Sequence, residues 1–133
     1  MSWLLFLDDE RDPATSIDDN RYRRRVGLPD LLPLLVNRQW VIARSVEEAL
    51  DHIHARGLPI FIAFDHDLGI GAPSGHDLAR RIVDMDLDGT AQLPTGFGYE
   101  VHSANPVGAA NIRGLLDGYL RWRKDSPAIT LKP

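Results

Sequence analysis

The chain has 133 residues, 44% of them hydrophobic and 26% charged, which suits one globular domain over 1–133 with a single core. A net charge of −4 argues against a general nucleic-acid coat protein, which needs enough basic charge to release phosphate counterions, but leaves recognition of one nucleotide or one RNA end open. With no cysteine there are no disulfides or thiolate metal sites, and no stretch reads as a signal peptide or membrane span, so a soluble, cytoplasmic protein is expected.

Trp3 to Leu7 is a continuous apolar run of strand length, as expected for a strand covered on both faces, and it ends abruptly in Asp8-Asp9-Glu10. From Arg11 to Asn37 the pattern is hard to read. The leucines at 31, 32, 34 and 35 suggest a helix near Pro33, and Arg21 to Arg25 is a compact basic run, either a solvated face or a guide for an RNA end or nucleotide. Gln39 to Ala43 reads as the second strand. The clearest helix follows, with a capping-box pattern at Ser45 and Glu48, apolar residues at 46, 49, 50 and 53, and a stop at Gly57 and Pro59. Ile60 to Phe64 is the third strand, and it runs straight into Asp65-His66-Asp67-Leu68-Gly69.

A second helix starts at Ser74, with Asp77 three residues on and Leu78, Ile82 and Met85 on one face, and gives way to a loop from Asp86 to Gly96. Tyr99 to Ser103 is the fourth strand. Asn105-Pro106 then opens a helix running to about Trp122, with asparagine at the cap and proline in the first turn. Gly114 and Gly118 inside it are expected to mark close packing on the sheet, since glycine costs helix propensity. Ala128 to Lys132 completes the alternation as a short last strand. Strands alternating with helices specify an α/β domain with a parallel sheet.

Ligands of such sheets bind outside the carboxyl ends of the strands, and the unusual polar residues collect there: Asp8 and Asp9, then Asp65, His66 and Asp67, then His102 and Ser103, and finally Lys132. Taken alone, Asp8-Asp9 serves equally well as a helix cap. Brought together with Asp65 and Asp67, the carboxylates would repel and raise one another's pKa unless a cation neutralised them. Hard oxygen ligands without cysteine suit Mg²⁺ first, or Mn²⁺, rather than zinc, and such an ion keeps positions open for water and phosphate oxygens. His52 and His54 read as solvated helix residues and His76 as a surface or loop-packing residue.

The series LLFLDDERDP, AFDHDLG and VHSANPVGAAN resembles the cyclic-phosphate processing receiver domains, a receiver-like family found in phages and beside RNA-repair genes. The resemblance implies a flavodoxin-like three-layer αβα sandwich with a five-stranded parallel sheet in the order 2-1-3-4-5, here without the last receiver helix. It also implies a role in processing 2′,3′-cyclic or related nucleotide phosphates. Carried over residue by residue, Asp8 and Asp9 match the acidic metal-binding pair and Asp65 the phosphoacceptor. Asp67 stands where a receiver offers a backbone carbonyl to the metal, Ser103 matches the hydroxyl that meets the phosphoryl group, and Lys132 matches the conserved lysine. His66, His102 and the turn from Asn105 to Gly108 depart from ordinary receivers and fit the cyclic-phosphate variety.

The leading reading is a metal-dependent phosphoesterase that opens a cyclic phosphate. Asp8, Asp9, Asp65 and Asp67 would hold the metal, with Asp67 alternatively orienting His66. Asp65, His66, His102 and Lys132 would act in catalysis, His66 or His102 moving protons near neutral pH. Arg11, Ser103, Asn105 and Gly108 would bind the phosphate, partly through N–H groups at the helix start. Two other classes stay open: a signalling receiver phosphorylated on Asp65, and a module that binds a cyclic nucleotide without cleaving it.

Overall fold

Four short apolar segments, β1 (Leu4–Leu7), β2 (Trp40–Ala43), β3 (Phe61–Phe64) and β4 (Gly98–Val101), form a parallel sheet in the order β2-β1-β3-β4. The computed structural model describes residues 2–16, 20–25, 27–28 and 38–124. The expected fifth strand at 128–132 and the leucine-rich segment at 31–35 lie outside the described residues, so the order seen is the expected one without its last member. The unreadable stretch after β1 contains two short helices, α1 (Pro13–Ser16) and α2 (Asn20–Arg25). Among the described residues, no helix is long and apolar enough to cross a membrane.

Alternation along the strands gives the sheet two faces with different contents. Leu5, Leu7, Ile62, Phe64 and Val101 point to the face covered by α3 (Val46–Arg56), α4 (Gly75–Asp88) and α5 (Pro106–Lys124), and join Ala49, Ile53, Leu78, Ile82, Ile112 and Leu116 in one apolar core. Burying each of the larger side chains contributes about 1.5–3 kcal/mol. Phe6 and Ala63 point the other way, with Trp40 and Ile42 beside them.

Helix boundaries follow capping chemistry. Ser74 and Asp77 make a complete capping box on α4, the Ser74 Oγ accepting from the Asp77 N–H and the Asp77 carboxylate accepting from the Ser74 N–H at 2.8 Å. At α3 the box is only half made: Ser45 Oγ accepts the Glu48 N–H, but the Glu48 carboxylate accepts from the N–H of Arg44, one residue before the cap. The α4 helix continues to Asp88 rather than yielding to a loop at Asp86. Asp86 is buried and structural: it accepts from the Leu93 N–H, the Tyr119 hydroxyl and Arg123 Nε, tying α4 to α5.

Two expectations fail on packing grounds. Gly114 and Gly118 are exposed and a Cβ at either would touch nothing within 4 Å, so close approach to the sheet is not why glycine stands there. The basic run is not uniformly a solvated face: Arg23 is 1% exposed and donates to both carboxylate oxygens of Glu100, at 2.6 and 3.0 Å. A charge that deep is tolerable only with a partner, and the bidentate fork supplies one.

Candidate functional site

Strand register builds the site. Leu7 pairs with Phe64, which pairs with Val101, so the next residues, Asp8, Asp65 and His102, follow as one row on the side of Phe6 and Ala63. Backbone bonds carry the ladder one step further, from Asp8 N–H to the Ala43 carbonyl, Asp65 N–H to Leu7 and His102 N–H to Phe64. The small Ala63 lies between Phe6 and the residues of β4. The His102 ring crosses that space and stacks on Phe6, with centroids 4.8 Å apart and planes 3° from parallel, and its Nε2 lies 3.0 Å from Asp8 Oδ2.

Asp8 and His102 are both fully buried. Burial alone would raise the Asp8 carboxyl. The His102 hydrogen bond and the N–H groups of Arg11 and Glu10, which donate to Oδ1 at 2.8 and 2.9 Å, outweigh it and hold Asp8 down at about 2. Asp65 shifts the other way. Burial and the neighbouring charge of Asp8 raise it, against the lowering influence of His102, a Ser103 hydrogen bond and Arg11. Ligand oxygens of Asp8, Asp9 and Asp65 all lie within 4.8 Å of one another. An all-oxygen set in which the charge of Asp8 opposes the ionisation of Asp65 suits a hard divalent cation such as Mg²⁺. Arg11 Nη1 stands 3.5 Å from Asp8 and 3.9 Å from Asp65.

The carboxylate of Asp67 is engaged elsewhere: it lies 2.7 Å from His66 Nδ1 and accepts from the Asn105 amide at 3.3 Å. The His66 contact, more than Asn105, lowers its pKa despite some desolvation. Asn105 also caps α5, its Oδ1 accepting the Gly108 N–H at 3.0 Å, and its own N–H donates to Ser103 Oγ at 3.1 Å. Gly108 meets His66 rather than open space, since a Cβ there would stand 2.3 Å from the imidazole. Gly75 is likewise forced, because a Cβ would fall 2.0 Å from the Asp65 carbonyl oxygen. Only glycine lets α4 begin against the Asp65 backbone, where the Gly75 N–H bonds the His66 carbonyl at 2.8 Å.

A cleft of about 530 Å³ opens over this end of the sheet, lined by Asp9, Glu10, Arg11, Asp65, Asp67, Gly69, Ser103, Ala104, Asn105 and the fully exposed Ile70. Of the residues singled out in the sequence, Asp8, His66, His102 and Gly108 are not in this lining, and Lys132 lies outside the described residues. Sequence reasoning missed Arg44. Its guanidinium donates to the Asp8 carbonyl at 3.1 Å, to the Arg11 carbonyl, and to the Asp12 carboxylate at 2.6 Å, strapping down the loop that carries Asp9 and Arg11. Its place directly after β2 was the signal, being the same carboxyl-end logic that found the aspartates.

A family model described as the cyclic-phosphate processing receiver domain matches residues 3–118. The chain belongs to that family. Among solved structures, this receiver domain is similar to the N-terminal domain of a response regulator/sensory box/GGDEF protein from Carboxydothermus hydrogenoformans, at 18% identity over 94% of this chain and 98% of that one, with a TM-score of 0.43. It is also similar to a two-component response regulator from Legionella pneumophila, at 16% identity over 91% and 99%, with a TM-score of 0.47. No curated protein matches it significantly.

Proposed function

We propose that this receiver domain is a divalent-metal-dependent phosphoesterase that opens a cyclic phosphate on a nucleotide or RNA end. The observation that carries the reading is the convergence of the buried Asp8 with Asp9 and Asp65, the last two lining a cleft together with Ser103 and Arg11, in a chain of the cyclic-phosphate processing family. Mg²⁺ held by the three aspartates would supply Lewis-acid polarisation of the phosphate and an acidified water. Arg11 would pair with a phosphate oxygen and the Ser103 hydroxyl would hydrogen-bond one. In the net reaction a P–O bond to water forms, the P–O bond to the ribose 2′ or 3′ oxygen breaks, and one proton passes from the water to the leaving oxygen.

His66 is our choice for the group that carries that proton, since Asp67 fixes its ring and its side chain retains 20% exposure. His102 acts as a positioning residue, because its ring is fully buried and bonds the metal-ligand candidate Asp8. Asp67 orients His66 instead of giving its carboxylate to the metal.

The test is ³¹P NMR of an RNA oligomer ending in a 2′,3′-cyclic phosphate, mixed with the protein in Mg²⁺, in chelator, and as Asp65→Asn. Conversion to a monoester by the Mg²⁺ wild type alone is the expected result. A cyclic signal that persists in the Mg²⁺ wild-type sample would overturn hydrolysis. Phosphorylation of Asp65 by acetyl phosphate would then identify a phosphoacceptor, and recovery of a tightly bound, intact cyclic nucleotide would identify a binding module.

A further inference from the structure

Beside the acidic cleft lies a second cavity of about 450 Å³, whose lining, among the described residues, holds Arg11, Arg25 and Arg113 and no carboxylate. The two cavities share Arg11, Ser103 and Ala104, so the acidic site and the arginine-lined one adjoin. Helical spacing explains how α5 contributes: Pro106, Ala109 and Arg113 recur at i, i+3 and i+7, which puts the first turn and Arg113 on one face toward the cavity. The positive end of that helix faces the same space. Arg25 arrives from the end of α2, far away in sequence.

We infer that this cavity is a second anion subsite, and that the substrate carries a second phosphate one nucleoside away from the phosphate that is processed. This rests on the proposed reading for the identity of the first phosphate. An acidic cleft that binds a phosphate through a metal, joined to a wall of guanidinium groups, discriminates by charge. A ligand with one phosphate fills the first cavity only, while one with two gains charge-assisted bonds from Arg25 and Arg113. The second phosphate can be a terminal 5′-phosphate or the phosphodiester linking the preceding nucleotide of an RNA.

Calorimetric titration in Mg²⁺ tests this with paired ligands: adenosine 2′,3′-cyclic phosphate with and without a 5′-phosphate, and adenosine 3′-monophosphate against adenosine 3′,5′-bisphosphate. A dinucleotide ending in a cyclic phosphate separates the phosphodiester source from the terminal one. The second phosphate should tighten binding about tenfold, the scale of a charge-assisted contact pair, and the gain should shrink as salt rises. Arg113→Gln and Arg25→Gln should each remove most of that gain while leaving one-phosphate binding unchanged. Equal affinities within every pair, or a gain that survives both variants, would overturn the subsite. A gain confined to the non-cyclic pair, with no turnover of either cyclic ligand, would keep the subsite and discard the phosphoesterase.

Discussion

The two faces of the sheet are stabilised by different physics. The face under α3, α4 and α5 is filled with hydrocarbon, from Leu5 and Ile62 to Leu116, and asks only that apolar volume be supplied at the right spacing. The opposite face buries the Arg23–Glu100 ion pair and the His102–Asp8 contact around a small cluster of Phe6 and Ala63. Hydrocarbon is forgiving about partners and charge is not. The apolar face therefore fixes the layers, while the polar face fixes which side chains arrive at the carboxyl ends.

Perturbing one face at a time breaks this contrast open. Glu100→Ala should be the most damaging change, costing about 4 kcal/mol because the buried Arg23 loses its bidentate carboxylate, whereas replacing the pair together by Arg23→Met and Glu100→Leu should cost far less. Equal losses from single and double variants in urea denaturation would show that the pair acts through packing alone. On the hydrocarbon face Leu116→Ala should cost about 3 kcal/mol by leaving a cavity, and filling it with Leu116→Met should restore most of that.

A smaller effect appears in acid. In chelator, Asp8 has a folded value of about 2 against an ordinary 3.8, so its stabilisation is present above about pH 4 and disappears as pH falls through 2. The difference is worth on the order of 2 kcal/mol. Asp65, raised by burial and by Asp8, has the opposite sign: its ionisation destabilises the fold at neutral pH, and protonation relieves this as pH falls. Urea midpoints measured against pH should give a shallower acid limb for Asp8→Asn than for the wild type; superimposable limbs would contradict the assignment. The smallest change carries the reverse sign. Gly114→Ala, on an exposed helix face with nothing near its Cβ, should stabilise by up to about 1 kcal/mol, read as a higher melting temperature.

How much of this was written visibly in the sequence depends on the range of the interaction. Local signals read well: apolar runs located β1 and β3, and Ser74 with Asp77 announced the start of α4. Carboxyl-end placement predicts that Asp8, Asp9, Asp65 and Ser103 lie at one end of the sheet, as they do, because a parallel sheet sends all its strand ends to one side. The polar face was not legible. Arg23 and Glu100 are 77 residues apart, and a basic run looks the same whether water or a carboxylate receives it. Nor does the sequence show the ring of Phe6 on which His102 stacks. Asp86 misled for a similar reason: an aspartate near glycine and proline resembles a loop until Tyr119 and Arg123 come back to claim it.

The in-register row of Asp8, Asp65 and His102 has a consequence for quality control in the cell. Because β1 and β3 are apolar on both faces, the aspartate that ends each strand is what reports its register: a slip of one residue would either carry Asp8 into the place of Leu7 inside the hydrocarbon or draw it out of the row. A carboxylate stranded in hydrocarbon leaves the misregistered chain unstable and open to proteases, so the population that survives triage is weighted toward an assembled site.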